Sequence, residues 1–419
     1  MPVVPHLTPT LSSLQGRSGC ERHDYSAHAG LVRCFAPTQT PGRLRARDKT
    51  GRVRWAKLVR AATLGLALFL SACSPLDGLD AFDALVQLTT GADPGRGETK
   101  PERREVSWAD GREGDLYLLP DAAPEAAVVL VPGLAPEGRR DPRLVLLADT
   151  LARKRFAVFV PDIPGFRAQR VAASDKDELA EALRYLRGRP EGNGPTGIIA
   201  ISYAAGPAIL AVLEPDLRHE VDFVVTIGGY YDTVSVATFF TTGFFRGRDG
   251  HWQEGVPNAY GKWVFVLANA ERVRSALDRV ALTAMARRKL ADLNADVRDL
   301  EADLGEEGQA VVALLANRDP EAVPGLVERL PAAIRDDMRA LSLAGRDLAR
   351  TSARFLLVHG RDDAIVPYSE SERLAERLPA DRVTLVRLAS LAHADLSPGS
   401  VLDLARAWWA MTALMAQRR

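Results

Sequence analysis

The sequence has very little cysteine. Its 419 residues include only Cys20, Cys34 and Cys73, so no residue after position 73 can form a disulfide or provide a thiolate ligand. Disulfides, zinc sites and iron–sulfur clusters that depend on cysteine are therefore excluded from the remainder of the chain. Because 47% of the residues are hydrophobic, that remainder has enough apolar material to fold around a hydrophobic core.

The sequence also has no surplus of charge of either sign. Its 54 Lys and Arg residues balance 54 Asp and Glu residues, whereas dedicated nucleic-acid-binding proteins usually carry a basic excess. We therefore expect no nucleic-acid partner. The length allows one large domain or two medium domains.

The apolar stretch between Ala61 and Ala72 is too short to cross a membrane, since a span needs roughly 20 apolar residues. It follows 60 residues that hold 11 basic and 3 acidic side chains. A basic region, a short apolar stretch and small residues are typical of a signal peptide. The stretch ends in Leu70-Ser71-Ala72-Cys73, which resembles the bacterial lipobox.

This resemblance implies cleavage before Cys73, lipidation of that cysteine, and anchoring to a membrane of the bacterial cell envelope. A membrane surface is thus one expected partner. We assign residues 1–51 to a non-structural N-terminal extension, 52–73 to the lipoprotein signal peptide, and 74–104, with their glycines and prolines, to a tether.

From residue 105 onward the pattern is typical of an α/β protein. Continuous apolar runs predict strands that are buried on both faces. Their alternation with amphipathic helices predicts a mostly parallel sheet with helices on both faces. The predicted parallel strands are 126–131, 156–160, 197–201, 221–227, 355–358 and 383–388.

The segment between residues 227 and 355 is too long for a crossover connection and predicts an inserted subdomain. We assign 105–228 and 354–419 to the core and 229–353 to a helical cap. Apolar residues at spacings of three and four predict a long amphipathic helix in the cap. These residues are Leu290, Leu293, Val297, Leu300 and Leu304.

One serine lies directly between a predicted buried strand and a predicted helix. Ser202 follows the strand at 197–201, and active sites in parallel sheets lie at the carboxyl ends of strands. A serine at such a sharp turn has the geometry of a nucleophile elbow. The turn would also direct the backbone N–H of Tyr203 toward a developing oxyanion.

At this turn the sequence resembles the α/β-hydrolase superfamily, whose usual motif is Gly-x-Ser-x-Gly. The motif here is Ala200-Ile201-Ser202-Tyr203-Ala204, so alanine replaces both glycines. A second stretch, from His359-Gly360 through Asp363 to Val366-Pro367, resembles the family's His-Gly-x-x-Asp-x-x-Val-Pro segment. The resemblance implies that Asp363 is the triad acid and that His359 is structural.

The resemblance also places the catalytic histidine on the loop after the last strand, where His393 stands. Ser202, Asp363 and His393 follow one another in the order that this fold uses, and a histidine there can act as the general base. Asp232, after the strand ending at Ile227, is an alternative acid, because some members of the superfamily place the acid there. A turn or helix-capping role is the other interpretation of Asp232.

The loop after the strand at 126–131 resembles the family's His-Gly-x segment, with proline in place of histidine. It consists of Pro132-Gly133-Leu134-Ala135, and the resemblance implies that Leu134 N–H is the second oxyanion donor. Ten aromatic residues lie between positions 230 and 265. They either form a core between cap and sheet or provide an apolar wall for an acyl or aromatic substrate group.

The resemblance thus implies a serine hydrolase that acts on a small carboxylic ester or thioester through an acyl-enzyme intermediate. A carboxylesterase or lipase-like enzyme is favoured over a peptidase, and no metal or organic cofactor is required. The two alanines at the elbow keep an alternative open. In that alternative, the protein is a catalytically silent binding or scaffold lipoprotein anchored to the envelope.

Overall fold

A computed structural model describes residues 75–91, 99–109, 111–391 and 400–419. The predicted extension, the signal peptide and Cys73 lie outside these ranges, as does His393.

Most of the strands form one sheet. The strands are β1 Glu102–Trp108, β2 Arg112–Leu118, β3 Ala126–Val131, β4 Phe156–Pro161, β5 Thr196–Ile201, β6 Phe223–Ile227, β7 Phe244–Arg246, β8 Trp252–Glu254, β9 Arg354–Gly360 and β10 Val383–Leu388. The large sheet has the order β1-β2-β4-β3-β5-β6-β9-β10, and β7 pairs with β8 separately. β2 is antiparallel to β1 and β4. The other pairs of neighbours in the large sheet, which join β4, β3, β5, β6, β9 and β10, are parallel. The predicted mostly parallel sheet is confirmed.

Helices precede, separate and follow these strands. They are α1 Pro75–Thr90, α2 Pro142–Arg153, α3 Pro164–Arg167, α4 Asp175–Arg187, α5 Ala205–Val212, α6 Thr233–Thr242, α7 Tyr260–Asn269, α8 Ala276–Ala291, α9 Arg298–Glu301, α10 Glu306–Ala316, α11 Val323–Glu328, α12 Ala332–Leu341, α13 Ser369–Arg377 and α14 Val401–Met415. The helices α6 to α12 and the β7–β8 pair lie between β6 and β9 in the chain.

The central strands are apolar throughout because helices cover both faces of the sheet. In β3, Val129 packs in a cluster with residues of α4 and α5. Its neighbour Val128 points to the opposite face and packs with residues of α1, α2 and α14. A third cluster lies within the inserted segment and joins α6, α8, α10 and α12. The inserted segment therefore has a hydrophobic core of its own.

Residues 74–104, assigned to a tether from their composition, contain the helix α1 and the first residues of β1. Asp77 of α1 is buried and pairs with Arg418, with 2.9 Å between Oδ1 and Nη2. Trp408 of α14 donates a hydrogen bond of 2.8 Å from its indole N–H to the carbonyl of Gly78. Because these partners lie at the far end of the chain, local composition does not reveal that the segment is packed.

The predicted long cap helix is wrong. α8 ends at Ala291, and only the short helix α9 precedes α10. The Asp292 carboxylate accepts a hydrogen bond from Asn294 N (2.9 Å), and Asp296 accepts one from Arg298 N (3.0 Å). Aspartate side chains that bond nearby backbone N–H groups offer the chain an alternative to continued helix. The apolar spacing therefore spans two turns of this kind rather than one helix.

The Asp77–Arg418 contact predicts a large effect of mutation on stability. Both side chains are nearly inaccessible, so Arg418→Ala removes the buried counter-ion of Asp77 and leaves only the half-exposed Arg419 beside it. We expect the free energy of unfolding, measured by urea denaturation, to fall by about 3 to 5 kcal/mol. Arg298→Ala is the control, because its pair with Asp296 is largely exposed and such pairs contribute less than about 1 kcal/mol. Equal losses in the two variants would contradict a packed α1.

Candidate active site

Ser202 has a backbone conformation that serine rarely adopts. Its φ is +57°, in the left-handed region that costs a non-glycine residue energy. The residue directly follows β5, and a short 3-10 turn at Ser202–Ala204 leads into α5. This strand–turn–helix arrangement is the elbow geometry that presents a nucleophile at the edge of a sheet.

The alanines that flank the elbow fit the available space. Ala200 and Ala204 are fully buried, so their methyl groups are accommodated within the packing. The tighter approach in this region is two residues further on. A side chain at Gly206 would overlap the hydroxyl of Tyr230, so α5 and the loop after β6 pack closely at this point.

The loop after β3 lies against the elbow. A Cβ atom placed on Gly133 would lie 3.2 Å from Ser202 Cβ and 3.8 Å from Ser202 Oγ. The loop is held by its own backbone, since Ala135 N donates to Gly133 O (2.8 Å) and Gly138 N donates to Ala135 O (2.9 Å). Leu134, the predicted second oxyanion donor, thus belongs to a loop that contacts the turn at Ser202.

Asp363 lies on the loop after β9, where its carboxylate is buried and held by the backbone. Oδ1 accepts hydrogen bonds from Ile365 N (2.8 Å) and Val366 N (3.0 Å). Oδ2 lies 3.3 Å from Nε2 of His359. These contacts fix the orientation of the carboxyl group.

His359 is fully buried beneath this loop. Nε2 lies 3.0 Å from Val366 O, and Nδ1 lies 2.7 Å from the hydroxyl of Ser371 on α13. Because a carbonyl and a carboxylate face Nε2, that nitrogen carries the hydrogen, and Nδ1 can accept the Ser371 proton. His359 therefore connects α13 to the loop after β9 that carries Asp363, the predicted acid; this loop is called the acid loop below.

The loops after β9 and β10 meet at Leu391. Asp362 Oδ1 accepts a hydrogen bond of 2.9 Å from Leu391 N, and a side chain at Gly360 would overlap the carbonyl of Leu391. Leu391 precedes His393 by two residues. The described chain therefore reaches the acid loop just before the predicted base, and His393 itself lies outside the described residues.

Asp232, the alternative acid, caps a helix. Its Oδ1 accepts a hydrogen bond of 3.0 Å from Val234 N at the start of α6, and its Oδ2 lies 3.7 Å from Nη2 of Arg373. Its backbone N–H donates to the buried carboxylate of Glu370 (2.7 Å). These contacts account for Asp232 as a structural residue between α6 and α13.

Ser202 opens into a cavity of about 620 Å³ between the sheet edge and the cap. Leu134, Ile365 and Leu391 also line it, so the three loops described above share one space. The aromatic residues at 230–265 divide between two roles. Phe240, Tyr260 and Phe265 line the cavity, whereas Phe239 and Phe245 pack edge to face with ring centroids 5.7 Å apart.

Two features of the site could not be found in the sequence. Leu88 and Thr89 at the end of α1 line it, although they lie in the segment assigned to a tether. The second is Asp175 at the start of α4, which accepts a hydrogen bond of 2.7 Å from the hydroxyl of Tyr203. An aspartate in the first turn of a helix resembles an ordinary favourable charge, and nothing local indicates its distant tyrosine partner.

Burial raises the pKa of Asp175 from 3.8 to about 6, although the Tyr203 hydroxyl and the Ala172 N–H both favour the ionised form. The desolvation of the Tyr203 phenol, together with the nearby Tyr230 and Asp175, raises the pKa of Tyr203. The carboxyl group beneath the elbow therefore gains or loses its proton in the mildly acidic range.

Within the described parts of the chain, no group of three or more His, Cys, Asp or Glu side chains could hold a metal ion. No helix in the same parts is long and apolar enough to cross a membrane.

The raised pKa of Asp175 makes the stability of the protein dependent on pH. Since the folded state holds this proton more tightly than the unfolded state, the stabilisation is complete below pH 3.8 and disappears as the pH rises through about 6. Asp175→Asn removes the titration and can still accept the Tyr203 hydrogen bond. As the pH rises from 4.5 to 7.5, we expect the wild type to lose about 2 kcal/mol of unfolding free energy that Asp175→Asn does not lose.

Urea denaturation at the two pH values measures this difference, with Asp381→Asn, an exposed site, as the control. A parallel pH dependence of the wild type and Asp175→Asn would show that the buried carboxyl does not titrate in this window.

Several solved structures are similar to the chain. Pyrococcus horikoshii acylaminoacyl peptidase matches with 15% identity and a TM-score of 0.45, over 77% of this chain and 41% of that one. A meta-cleavage product hydrolase from Pseudomonas fluorescens matches with 20% identity and a TM-score of 0.40, over 75% of this chain and 98% of that one. The chain thus spans less than half the length of the peptidase.

No curated protein sequence matches the chain. The model of the alpha/beta hydrolase fold family matches residues 126–397, which is more than half of the 419 residues. The matched region contains the elbow, the acid loop and the cap between them. The chain therefore belongs to the alpha/beta hydrolase fold family.

Proposed function

We propose that the protein is a serine hydrolase that cleaves carboxylic ester or thioester bonds. Membership of the alpha/beta hydrolase fold family suggests a hydrolase acting on a small molecule. The main support for a serine nucleophile is the strained backbone of Ser202, whose φ is +57°. Its side chain lines a cavity beside the Gly133 loop. Such strain persists where the surrounding structure imposes it, and it is often found at functional sites.

In the proposed reaction, Ser202 Oγ attacks the substrate carbonyl while His393 accepts the hydroxyl proton. The backbone N–H groups of Tyr203 and Leu134 stabilise the oxyanion of the tetrahedral intermediate. His393 then protonates the leaving alcohol or thiol, which leaves an acyl group on Ser202. Water, deprotonated by the same histidine, releases the acid and restores the serine.

Asp363 is the favoured acid in this proposal. Two backbone N–H groups hold its Oδ1, and its loop contacts Leu391, two residues before His393. Asp232 instead uses Oδ1 to cap α6. A carboxylate that is already oriented can hold the imidazole in the required tautomer and stabilise its positive charge.

The cavity supports a small ester over a peptide. Its volume of about 620 Å³ falls in the range of small-molecule sites, and helices of the inserted segment contribute Phe240, Phe265 and Met338 to its wall. An acyl or aromatic group would gain free energy by burial against these side chains. A polypeptide would need an open cleft through which the chain could pass.

We also propose that Cys73 is lipidated and holds the protein at a membrane of the bacterial cell envelope. The support is the sequence Leu70-Ser71-Ala72-Cys73 after a basic and apolar segment. α1 begins two residues later, at Pro75, so the folded body would follow the anchor almost directly.

A fluorophosphonate probe tests the nucleophile. We expect residues 74–419 to be labelled at Ser202, because an activated serine attacks the phosphorus and displaces fluoride. Mass spectrometry identifies the labelled residue, and Ser202→Ala should abolish labelling while leaving the thermal unfolding curve in place. If the folded protein is not labelled, the silent scaffold lipoprotein becomes the preferred interpretation.

The identity of the acid is tested by a matched pair of substitutions. Asp363→Asn should lower kcat for p-nitrophenyl butyrate by about 1,000-fold or more, because it disturbs the tautomer of the histidine. Asp232→Asn should change kcat by less than about threefold, since asparagine caps helices as well as aspartate does. The reverse order of effects would move the acid to Asp232.

A further inference from the structure

The helix α1 buries Ala81 and Leu85 in the core, but it also exposes several large apolar side chains. A surface helix normally buries its apolar face and exposes its charges. The exposed residues of α1 are all uncharged: Pro75, Leu76, Leu79, Phe82, Val86, Thr89 and Thr90. Of these, Leu79 and Phe82 are 67% and 47% exposed. These large apolar side chains therefore face away from the core.

The acidic residues of α1 form ion pairs with basic residues of the body of the protein. Asp77 is buried against Arg418, Asp80 Oδ2 lies 2.8 Å from Arg418 Nη2, and Asp83 pairs with Lys154. The side chain of Asp83 is 47% exposed beside the apolar face, but its pairing with Lys154 neutralises its charge.

The neighbouring helix α14 also exposes large apolar side chains. α14 lies beside α1, as the hydrogen bond from Trp408 to Gly78 shows. Its exposed residues include Val401, Leu402, Leu404 and Trp409. Contiguous exposed apolar patches are uncommon on soluble proteins and mark surfaces that bind proteins or membranes.

The position of this surface in the chain favours a membrane as the occupant. Two extended residues span at most about 7 Å, so a lipid attached at Cys73 would enter the bilayer within about 7 Å of Pro75. A helix held so close to the headgroups can bury an uncharged face in the interface. A second copy of the chain would not need the surface to begin at the lipid attachment point.

The same helix also reaches the catalytic cavity. Leu88 and Thr89, at the other end of α1, line the cavity together with Arg143, Leu144 and Leu147 of α2. A substrate in the outer layer of the membrane would therefore meet the cavity at the end of the helix that contacts that membrane.

We infer that the outer faces of α1 and α14 form an interfacial membrane-binding surface, and that the cavity takes its ester substrate from the lipid phase. The inferred substrate class is an acyl ester with at least one membrane-embedded chain. This part of the inference rests on the proposed hydrolase function. The binding of the surface to lipid does not depend on it.

The test uses residues 74–419, which lack the lipid and the signal segment but retain every residue of the three hydrophobic clusters. Flotation with phosphatidylethanolamine–phosphatidylglycerol vesicles measures the partition coefficient. We expect Leu79→Ser/Phe82→Ser to lower it at least tenfold. Because contact is apolar, binding by the unsubstituted chain should change less than twofold between 50 and 500 mM salt.

Leu277→Ser/Val280→Ser is the matched control. This pair has the same spacing on α8 and is 78% and 71% exposed, but it lies in the inserted segment. We expect less than a twofold change in its partition coefficient and unchanged thermal unfolding for both double variants. Equal losses in the two, or no vesicle binding by the unsubstituted chain, would overturn the inference. A dimer that becomes monomeric only in Leu79→Ser/Phe82→Ser, without vesicle binding, would assign the surface to a second copy instead.

Two substrates separate this inference from the proposed function. Hydrolysis of a fluorogenic diacyl phospholipid in vesicles should fall at least tenfold in Leu79→Ser/Phe82→Ser, whereas hydrolysis of soluble p-nitrophenyl butyrate should change less than twofold. Turnover of the soluble ester by every variant, with no turnover of the vesicle ester, would overturn the substrate class alone. Absence of both activities and of labelling at Ser202 would refute the proposed function, while the partition coefficients would still decide the membrane surface.

Discussion

The left-handed backbone of Ser202 is the constraint on which the candidate site depends. An isolated chain would relax a serine from a φ of +57°, because Cβ meets the neighbouring backbone there. The turn is held in place because β5 is paired on both sides by β3 and β6 and because the loop at Gly133 packs tightly against it, so that a Cβ there would lie 3.2 Å from Ser202 Cβ. The buried sheet thus supplies the free energy that holds the side chain at its edge.

The acid loop is held by a second set of contacts that differ in kind. Asp363 is oriented by backbone N–H groups, and the buried His359 connects the same loop to Ser371. The cap also reaches this loop, where Asn258 N donates a hydrogen bond of 2.7 Å to Ala364 O. A displacement of the cap would therefore be transmitted to the acid loop through the backbone, without movement of the sheet.

The sequence was sufficient to predict features that depend on local pattern. Continuous apolar runs located the parallel strands, and a serine directly after one of them located the elbow, since both signals lie within a few residues. Features that depend on distant partners could not be predicted in this way. Asp175 bonds Tyr203, 28 residues away in the chain, and Asp77 bonds Arg418, 341 residues away. No periodic pattern in the sequence relates residues so far apart. The single cap helix predicted from Leu290 to Leu304 was wrong for a different reason, because Asp292 and Asp296 form local turns that interrupt a regular apolar spacing.

The packing of α1 would connect the proposed anchor at Cys73 to the candidate site through one rigid element. A flexible tether would let the body rotate freely above a membrane, and the cavity would then face the lipid only part of the time. α1 instead is joined to the body at Asp77 and Gly78 near its start and ends at the cavity with Leu88 and Thr89. Because a helix of 16 residues is about 24 Å long, the attachment point and the cavity wall are held at a nearly constant separation. An anchor at its start would thus determine the orientation of the cavity as well as the location of the protein.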